Sequence, residues 1–221
     1  MSRFFPAVIL SLAWCCSSIE VHADLLHDLT TQRHWIGYAP RNFNPNIGQE
    51  PSQAQIRDDL EQLFAEGWRS IYTYTLDGVI QHVPRIAKEV GFEYTLAGVF
   101  WFDNAQLARE KANAQTQLAH IDGFIVGNEG VAFGRYTKAQ LQQELPFFEA
   151  FGKPVTTTEV SGLYTFDNDF LDMGDFVFYN TQPWFDPGID PSDPARVAEM
   201  VKNEHFFLSG LRPDGDIIIQ E

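Results

Sequence analysis

Gly123-Phe124-Ile125-Val126-Gly127-Asn128-Glu129 is an apolar run that ends on a carboxylate, and Asp216-Ile217-Ile218-Ile219-Gln220-Glu221 ends the same way. Short, continuous runs rich in β-branched residues fit strands buried on both faces of a parallel sheet. In a parallel barrel the C-terminal strand ends carry the reactive groups, so each run predicts a glutamate delivered to one rim. Working outward, strand-like segments recur at residues 34–39, 70–75, 93–100, 123–127, 154–159, 175–180 and 216–220.

Helical patterns with recognisable ends lie between them. Ser52 with Gln55 forms a capping box, followed by Ile56, Leu60, Leu63 and Phe64 on one face until Gly67. Val79, Val83, Ile86, Ala87 and Val90 form a second stripe ending at Gly91, and residues 104–120 make a more polar helix. Thr137 with Gln140 opens a helix that ends at Gly152 and carries Pro146, a residue expected to kink it. Asp193-Pro194 is an N-cap and first-position pair for the next helix.

Such alternation predicts an α/β fold with a parallel sheet, either doubly wound or a TIM (β/α)8-type barrel. No G-x-G-x-x-G follows the first strand, which removes the main support for a dinucleotide fold. Tyr38, Tyr74, Trp101, Glu129, Glu159, Gln182 and Glu221 all fall at the C-terminal ends of strand segments, a distribution that favours the barrel. Seven strands can be counted where a closed barrel has eight, so the barrel is expected to be incomplete.

The 221 residues suffice for one domain, and 44% hydrophobic content argues for a packed core. Residues 1–23 stand apart. Arg3, the apolar stretch from Phe4 to Trp14 and the small-residue site Val21-His22-Ala23 predict a secretory signal peptide. The apolar stretch falls short of the ~20 residues that span a bilayer. Removal leaves a domain of residues 24–221 with no integral membrane segment and no cysteine, because Cys15 and Cys16 leave with the signal. A secreted or periplasmic location is expected. The net charge of −15 disfavours nucleic acid and anionic membranes as partners and is compatible with a neutral polysaccharide.

Two strand-end carboxylates are the minimum equipment for glycosidic bond cleavage. An apolar rim desolvates a carboxyl and favours its protonated form, which suits Glu129 to general-acid work. Asn128 could hydrogen-bond a sugar 2-hydroxyl. Glu221, about 5 Å from Glu129 in a retaining arrangement, could act as nucleophile. Glu159 ends Val155-Thr156-Thr157-Thr158 and competes with it on residue type alone. Tyr38, Tyr72, Tyr74, Phe100, Trp101, Phe133, Tyr136, Trp184 and Phe185 lie at or beyond strand ends, where aromatic faces could stack on sugar rings. The histidines lack metal-ligand spacing and there is no G-x-S-x-G elbow, so neither metal nor cofactor is expected.

Several segments resemble glycoside hydrolase family 17, the β-1,3-glucanases, in its bacterial branch. They are Ile36-Gly37-Tyr38-Ala39-Pro40, Glu50-Pro51-Ser52 through Ile56, and Tyr72-Thr73-Tyr74-Thr75. Val126 through Gly130, Gly152 through Glu159, Gly174 through Phe178, Asn180 through Phe185 and Ile217 through Glu221 follow in the family's order. The resemblance implies a retaining (β/α)8 barrel, with Glu129 as acid/base on the fourth strand and Glu221 as nucleophile on the seventh. It also implies Asn128 as the 2-hydroxyl partner. Tyr38, Tyr74, Trp101, Glu159, Asn180 and Trp184 are the further substrate-binding candidates. The family usually has Arg at Tyr72 and often His at Gln182. Its members also continue past the nucleophile, so a C-terminal truncation is expected here. The reading is a monomeric glycosidase acting on a β-glucan polysaccharide or oligosaccharide, without cofactor. The alternatives are a β-1,3-glucan transglycosylase and a non-catalytic glucan-binding protein or inactive fragment.

Overall fold

Among the described residues the seven strands pair only in parallel, which forces each connection to cross back over the sheet and accounts for the helices between strands. The structure, a computed structural model, describes residues 25–31, 35–44, 47–183, 188–190, 192–213 and 215–220. The signal segment, Trp184, Phe185 and Glu221 lie outside these.

Residues 25–31 form a helix, α1. Then come β1 (Trp35–Tyr38), α2 (Gln53–Ala65), β2 (Ser70–Thr73), α3 (Val83–Val90), β3 (Tyr94–Val99) and α4 (Asn104–Gln117). The chain continues through β4 (Gly123–Asn128), α5 (Lys138–Glu149), β5 (Val155–Thr158), α6 (Ser161–Phe166), β6 (Val177–Tyr179), α7 (Pro194–Leu211) and β7 (Ile217–Ile219). Strands β1 to β5 pair in sequence order, and β6 pairs with β7. A parallel bridge from Val160 to Asn180 carries the ladder from β5 to β6. Among the described residues β1 and β7 are not paired with each other. The Tyr72 hydroxyl instead crosses the interior and donates to the Gln220 carbonyl at 2.9 Å. This is the expected α/β architecture of a partial barrel.

Strand alternation sorts the apolar residues into layers. Tyr72, Leu96, Ile125, Phe176, Phe178 and Ile218 fill the interior, with Leu29 of α1 packed against them at the strand starts. Alternate residues face outward: Phe124, Val126, Val155, Val177 and Tyr179 pack with Leu107 of α4, Leu141 and Phe148 of α5 and Leu208 of α7. Ile71 and Tyr38 pack outward with Ile56 and Leu60 of α2 and Ile86 of α3. Gly98 is required by closeness, because a Cβ there would overlap the backbone of Thr73 and Tyr74. Gly98→Ala is therefore expected to cost about 1–3 kcal/mol, or more if β2 cannot shift, measured as a lowered denaturation midpoint at unchanged m-value.

Local signals placed most helices. Both capping boxes form reciprocally, Ser52 with Gln55 and Thr137 with Gln140. Asp193 accepts from the amides of Ala195 and Arg196. Pro146 lies inside α5. The stripe from Val79 to Val90 is divided into a 3₁₀ turn (Gly78–His82) and α3, because Pro84 sits in the first turn of an α-helix and suits a helix start rather than an interior. α6 was not expected. Its six residues are too few to show a helical period, and no side chain caps its start.

Candidate active site

The end of β4 departs from regular strand geometry. Its register against β5 shifts between Ile125 and Asn128, the signature of a bulge, which re-aims the side chains that follow. Gly127 takes φ +85°, and Glu129 takes φ +53° although it is not glycine. Such a conformation costs on the order of 1 kcal/mol or more in a residue with a Cβ, and it collects at functional sites. The backbone holds it there: Glu129 N–H donates to the Thr158 carbonyl at 2.8 Å. Tyr136 explains the flanking glycines. A Cβ at Gly127 or Gly130 would overlap its ring, and its hydroxyl accepts from Gly130 N–H at 3.1 Å. Tyr136, expected in the cleft, is buried and stacked on Phe102 at 3.9 Å.

Two side-chain amides from beyond β6 grip the Glu129 carboxylate. Asn180 Nδ2 donates to Glu129 Oε1 at 2.9 Å, and Gln182 Nε2 donates to the same oxygen at 2.8 Å. Asn180 Nδ2 also lies 3.3 Å from Asn128 Oδ1, so one amide orients both residues of the Asn-Glu pair. Asn180 is 1% exposed and is locked by its own backbone, which donates to the Glu159 carbonyl at 3.0 Å and accepts from Ser161 N–H at 2.9 Å. Two donors on one oxygen fix the orientation of the carboxylate. On the other side, the Arg135 guanidinium donates to the Asn128 carbonyl and lies over the Phe100 ring at 4.3 Å.

Glu159 lies beneath this rim with no exposed surface. Its two oxygens accept from Val131 N–H at 3.0 Å and Ala132 N–H at 3.2 Å, in the turn that follows Glu129. Burial, with a smaller push from the nearby Glu129 charge, raises its pKa to about 7, against the pull of those two amides. Expected to touch substrate, Glu159 instead anchors the loop that carries Glu129.

A cavity of about 640 Å³ opens at the C-terminal ends of β2 and β3. Tyr74 and Trp101 line it, together with Phe43 and Phe100, while Glu50, Asp77, Gln106 and Arg109 supply polar edges. Gly37 leaves the space into which the hydroxyls of Tyr72 and Tyr74 reach. Tyr38 does not reach this cavity. It points outward into the layer under α2, with its hydroxyl donating to Asp59 at 3.2 Å. The reason is alternation: Gly37 takes the inward position of β1, so its neighbour must face the helices. Glu221 and Trp184 lie outside the described residues.

Glu110 of α4 escaped the sequence reading because it sits in a polar helix, where a glutamate ordinarily faces solvent. It is fully buried and accepts from Leu76 N–H (3.1 Å), Phe100 N–H (3.3 Å), Trp101 N–H (3.0 Å) and the Thr75 hydroxyl. Burial raises its pKa to about 7, against these four donors. Among the described residues no group of three or more His, Cys, Asp or Glu is arranged to hold a metal ion, and no helix is long and apolar enough to cross a membrane.

Residues 36–221 match the BtgE/BtgC glycoside hydrolase domain. The chain belongs to this family. No curated protein matches it in sequence. Among solved structures, this glycoside hydrolase domain is similar to an active-site mutant of a Rhizomucor miehei β-1,3-glucanosyltransferase in complex with laminaritriose. The two share 18% identity at a TM-score of 0.67, over 84% of this chain and 69% of that one. A Ruminococcus gnavus β-glucuronidase is similar at 12% identity and a TM-score of 0.57, over 80% of this chain and 34% of that one. At these identities the likeness establishes the fold, a partial TIM-barrel of the glycosidase kind. Within that fold Glu129 stands at the C-terminal end of the fourth strand.

Proposed function

We propose that this domain is an exported retaining glycosidase of the family 17 type that acts on β-1,3-glucan. Glu129 protonates the leaving glycosidic oxygen and then activates water, and Glu221 attacks the anomeric carbon to form the glycosyl-enzyme. The observation that carries the reading is the Glu129 carboxylate at the β4 end, gripped by Asn180 and Gln182 on a residue whose backbone is left-handed. The aromatic cavity of Tyr74, Phe100 and Trp101 then receives sugar rings on their C–H faces, and Asn128 orients a 2-hydroxyl.

The test is incubation with reduced laminari-oligosaccharides while proton NMR follows the anomer released first. The β-anomer appearing first is expected. Release of the α-anomer, or no cleavage at all of β-1,3 linkages, refutes the reading.

The second reading is glucan transglycosylation by the same two residues. It is favoured by the fold likeness to a glucanosyltransferase that carries laminaritriose. At millimolar laminaripentaose, products longer than the substrate are expected if a second sugar displaces Glu221 faster than water does. Shorter products alone identify a hydrolase.

A further inference from the structure

Two loops form much of the aromatic cavity's wall, one after β2 (Tyr74, Thr75, Asp77, Gly78) and one after β3 (Phe100, Trp101). Neither is part of a strand, so their relative position must come from elsewhere. Helix α4 supplies it. Asn113 Nδ2 donates to the Leu76 carbonyl at 2.8 Å, and Glu110 accepts from the Leu76 N–H at 3.1 Å, so both polar groups of one peptide residue are held by α4. One turn away, Arg109 pairs with Asp77 through both carboxylate oxygens, at 2.9 and 2.8 Å. Glu110 spans both loops. Its Oε1 accepts from Thr75, Leu76 and Phe100, while its Oε2 accepts from Trp101.

A fully buried carboxyl with four donors has no solvent to fall back on. Burial of a group this polar is tolerated only where its hydrogen bonds are made, and each of those bonds ends on a loop that forms the cavity. We propose that Glu110 is a positioning residue for substrate binding, which sets the β2 and β3 loops so that Tyr74 and Trp101 face one glucan chain. The proposal rests on the glucan-binding reading above. Glu110 touches no reacting atom: it acts through the backbone of Phe100 and Trp101.

The Glu110→Gln variant separates this from a purely structural role. The side-chain oxygen of Gln can still take the donors now on Oε1, but its NH2 then meets the Trp101 N–H, donor against donor. Amide hydrogen exchange is measured in the full chain for Leu76, Phe100 and Trp101. Laminari-oligosaccharide affinity is followed by tryptophan fluorescence, and steady-state kinetics by reducing-sugar release. Loss of one hydrogen bond, with a donor left facing a donor, predicts at least tenfold faster exchange at Trp101 and a roughly tenfold rise in Kd and KM, with kcat lowered less than threefold. Glu110→Asp, which keeps the carboxyl group, is expected to restore part of the protection and affinity. Unchanged protection at all three amides overturns the clamp whatever the chain binds. Lost protection with unchanged glucan affinity overturns the role in binding. Wild-type protein that ignores laminari-oligosaccharides refutes the glucan reading, and with it the substrate role, while exchange still decides the clamp. Should Glu110→Gln not fold, Asn113→Ala, which frees only the Leu76 carbonyl, is expected to raise Kd about threefold, and an unchanged Kd refutes the proposal.

Discussion

Glu129→Gln is expected to lower turnover of unactivated laminari-oligosaccharides by about 10²–10⁴-fold, the range in which a positioned general acid contributes. The change is nearly isosteric. The amide oxygen can still accept from Asn180 Nδ2 and Gln182 Nε2, now at 2.9 and 2.8 Å from Oε1, so the carboxamide is held where the carboxyl was. Oligosaccharide affinity should therefore change little. The sharper measurement compares leaving groups. An aryl glucoside that departs as a stable phenolate needs little protonation, so its glycosylation step should lose far less than that of the oligosaccharide. Equal losses on both substrates would show that Glu129 is not the proton donor, and wild-type rates on the oligosaccharide would remove it from the reaction.

The second large effect concerns Glu159 and pH. Its pKa rises from the ordinary 4.5 to about 7, chiefly through burial. A carboxyl that binds its proton more tightly when folded stabilises the protein fully below the unfolded value, near 4.5. That contribution is lost as pH rises through about 7. The gap corresponds to roughly 3 kcal/mol. Asp77 works in the opposite sense: its bond to Arg109 lowers its pKa, and its contribution is lost only as pH falls into the acid range. Stability should thus be greatest on the mildly acid side of neutrality. Repulsion among the 30 acidic residues slopes the same way, so the wild-type curve alone does not isolate Glu159.

The difference from Glu159→Gln does isolate it. Urea midpoints at intervals from pH 4.5 to 8 should fall less steeply with pH in the variant, because its side chain cannot ionise. At pH 5 the variant should be less stable by about 1–3 kcal/mol, since the amide NH2 faces either the Val131 or the Ala132 N–H and leaves that donor unmet. Parallel curves in the two proteins would mean that Glu159 does not carry the titration. Activity should also drop in the variant, because the loop it anchors begins at Glu129. A folded Glu159→Gln protein with full activity would break that link.

The order and type of the elements were written in the sequence. Capping boxes at Ser52 and Thr137, the Asp193-Pro194 start and the continuous apolar runs each act within a few residues, so they declare themselves locally. Counting strands from those runs also put Glu129 at the end of the fourth, where β4 ends at Asn128. Inward and outward facing was harder to read. Tyr38 looked like a rim aromatic, yet one residue of register turns it under α2. Glu159 looked like a second rim carboxylate, yet a turn folded over it leaves it buried with both oxygens engaged.

The sequence by itself determined a parallel α/β barrel with a glutamate at the tip of its fourth strand, because periodicity and caps are short-range. Only the tertiary structure decided what holds that glutamate. Asn180 and Gln182 stand 51 and 53 positions along the chain from it, and Glu110 stands 34 or 35 from the loop after β2. No spacing rule connects residues so far apart. They meet because successive parallel strands bring their C-terminal ends to one rim, and at that rim buried polar groups must find partners.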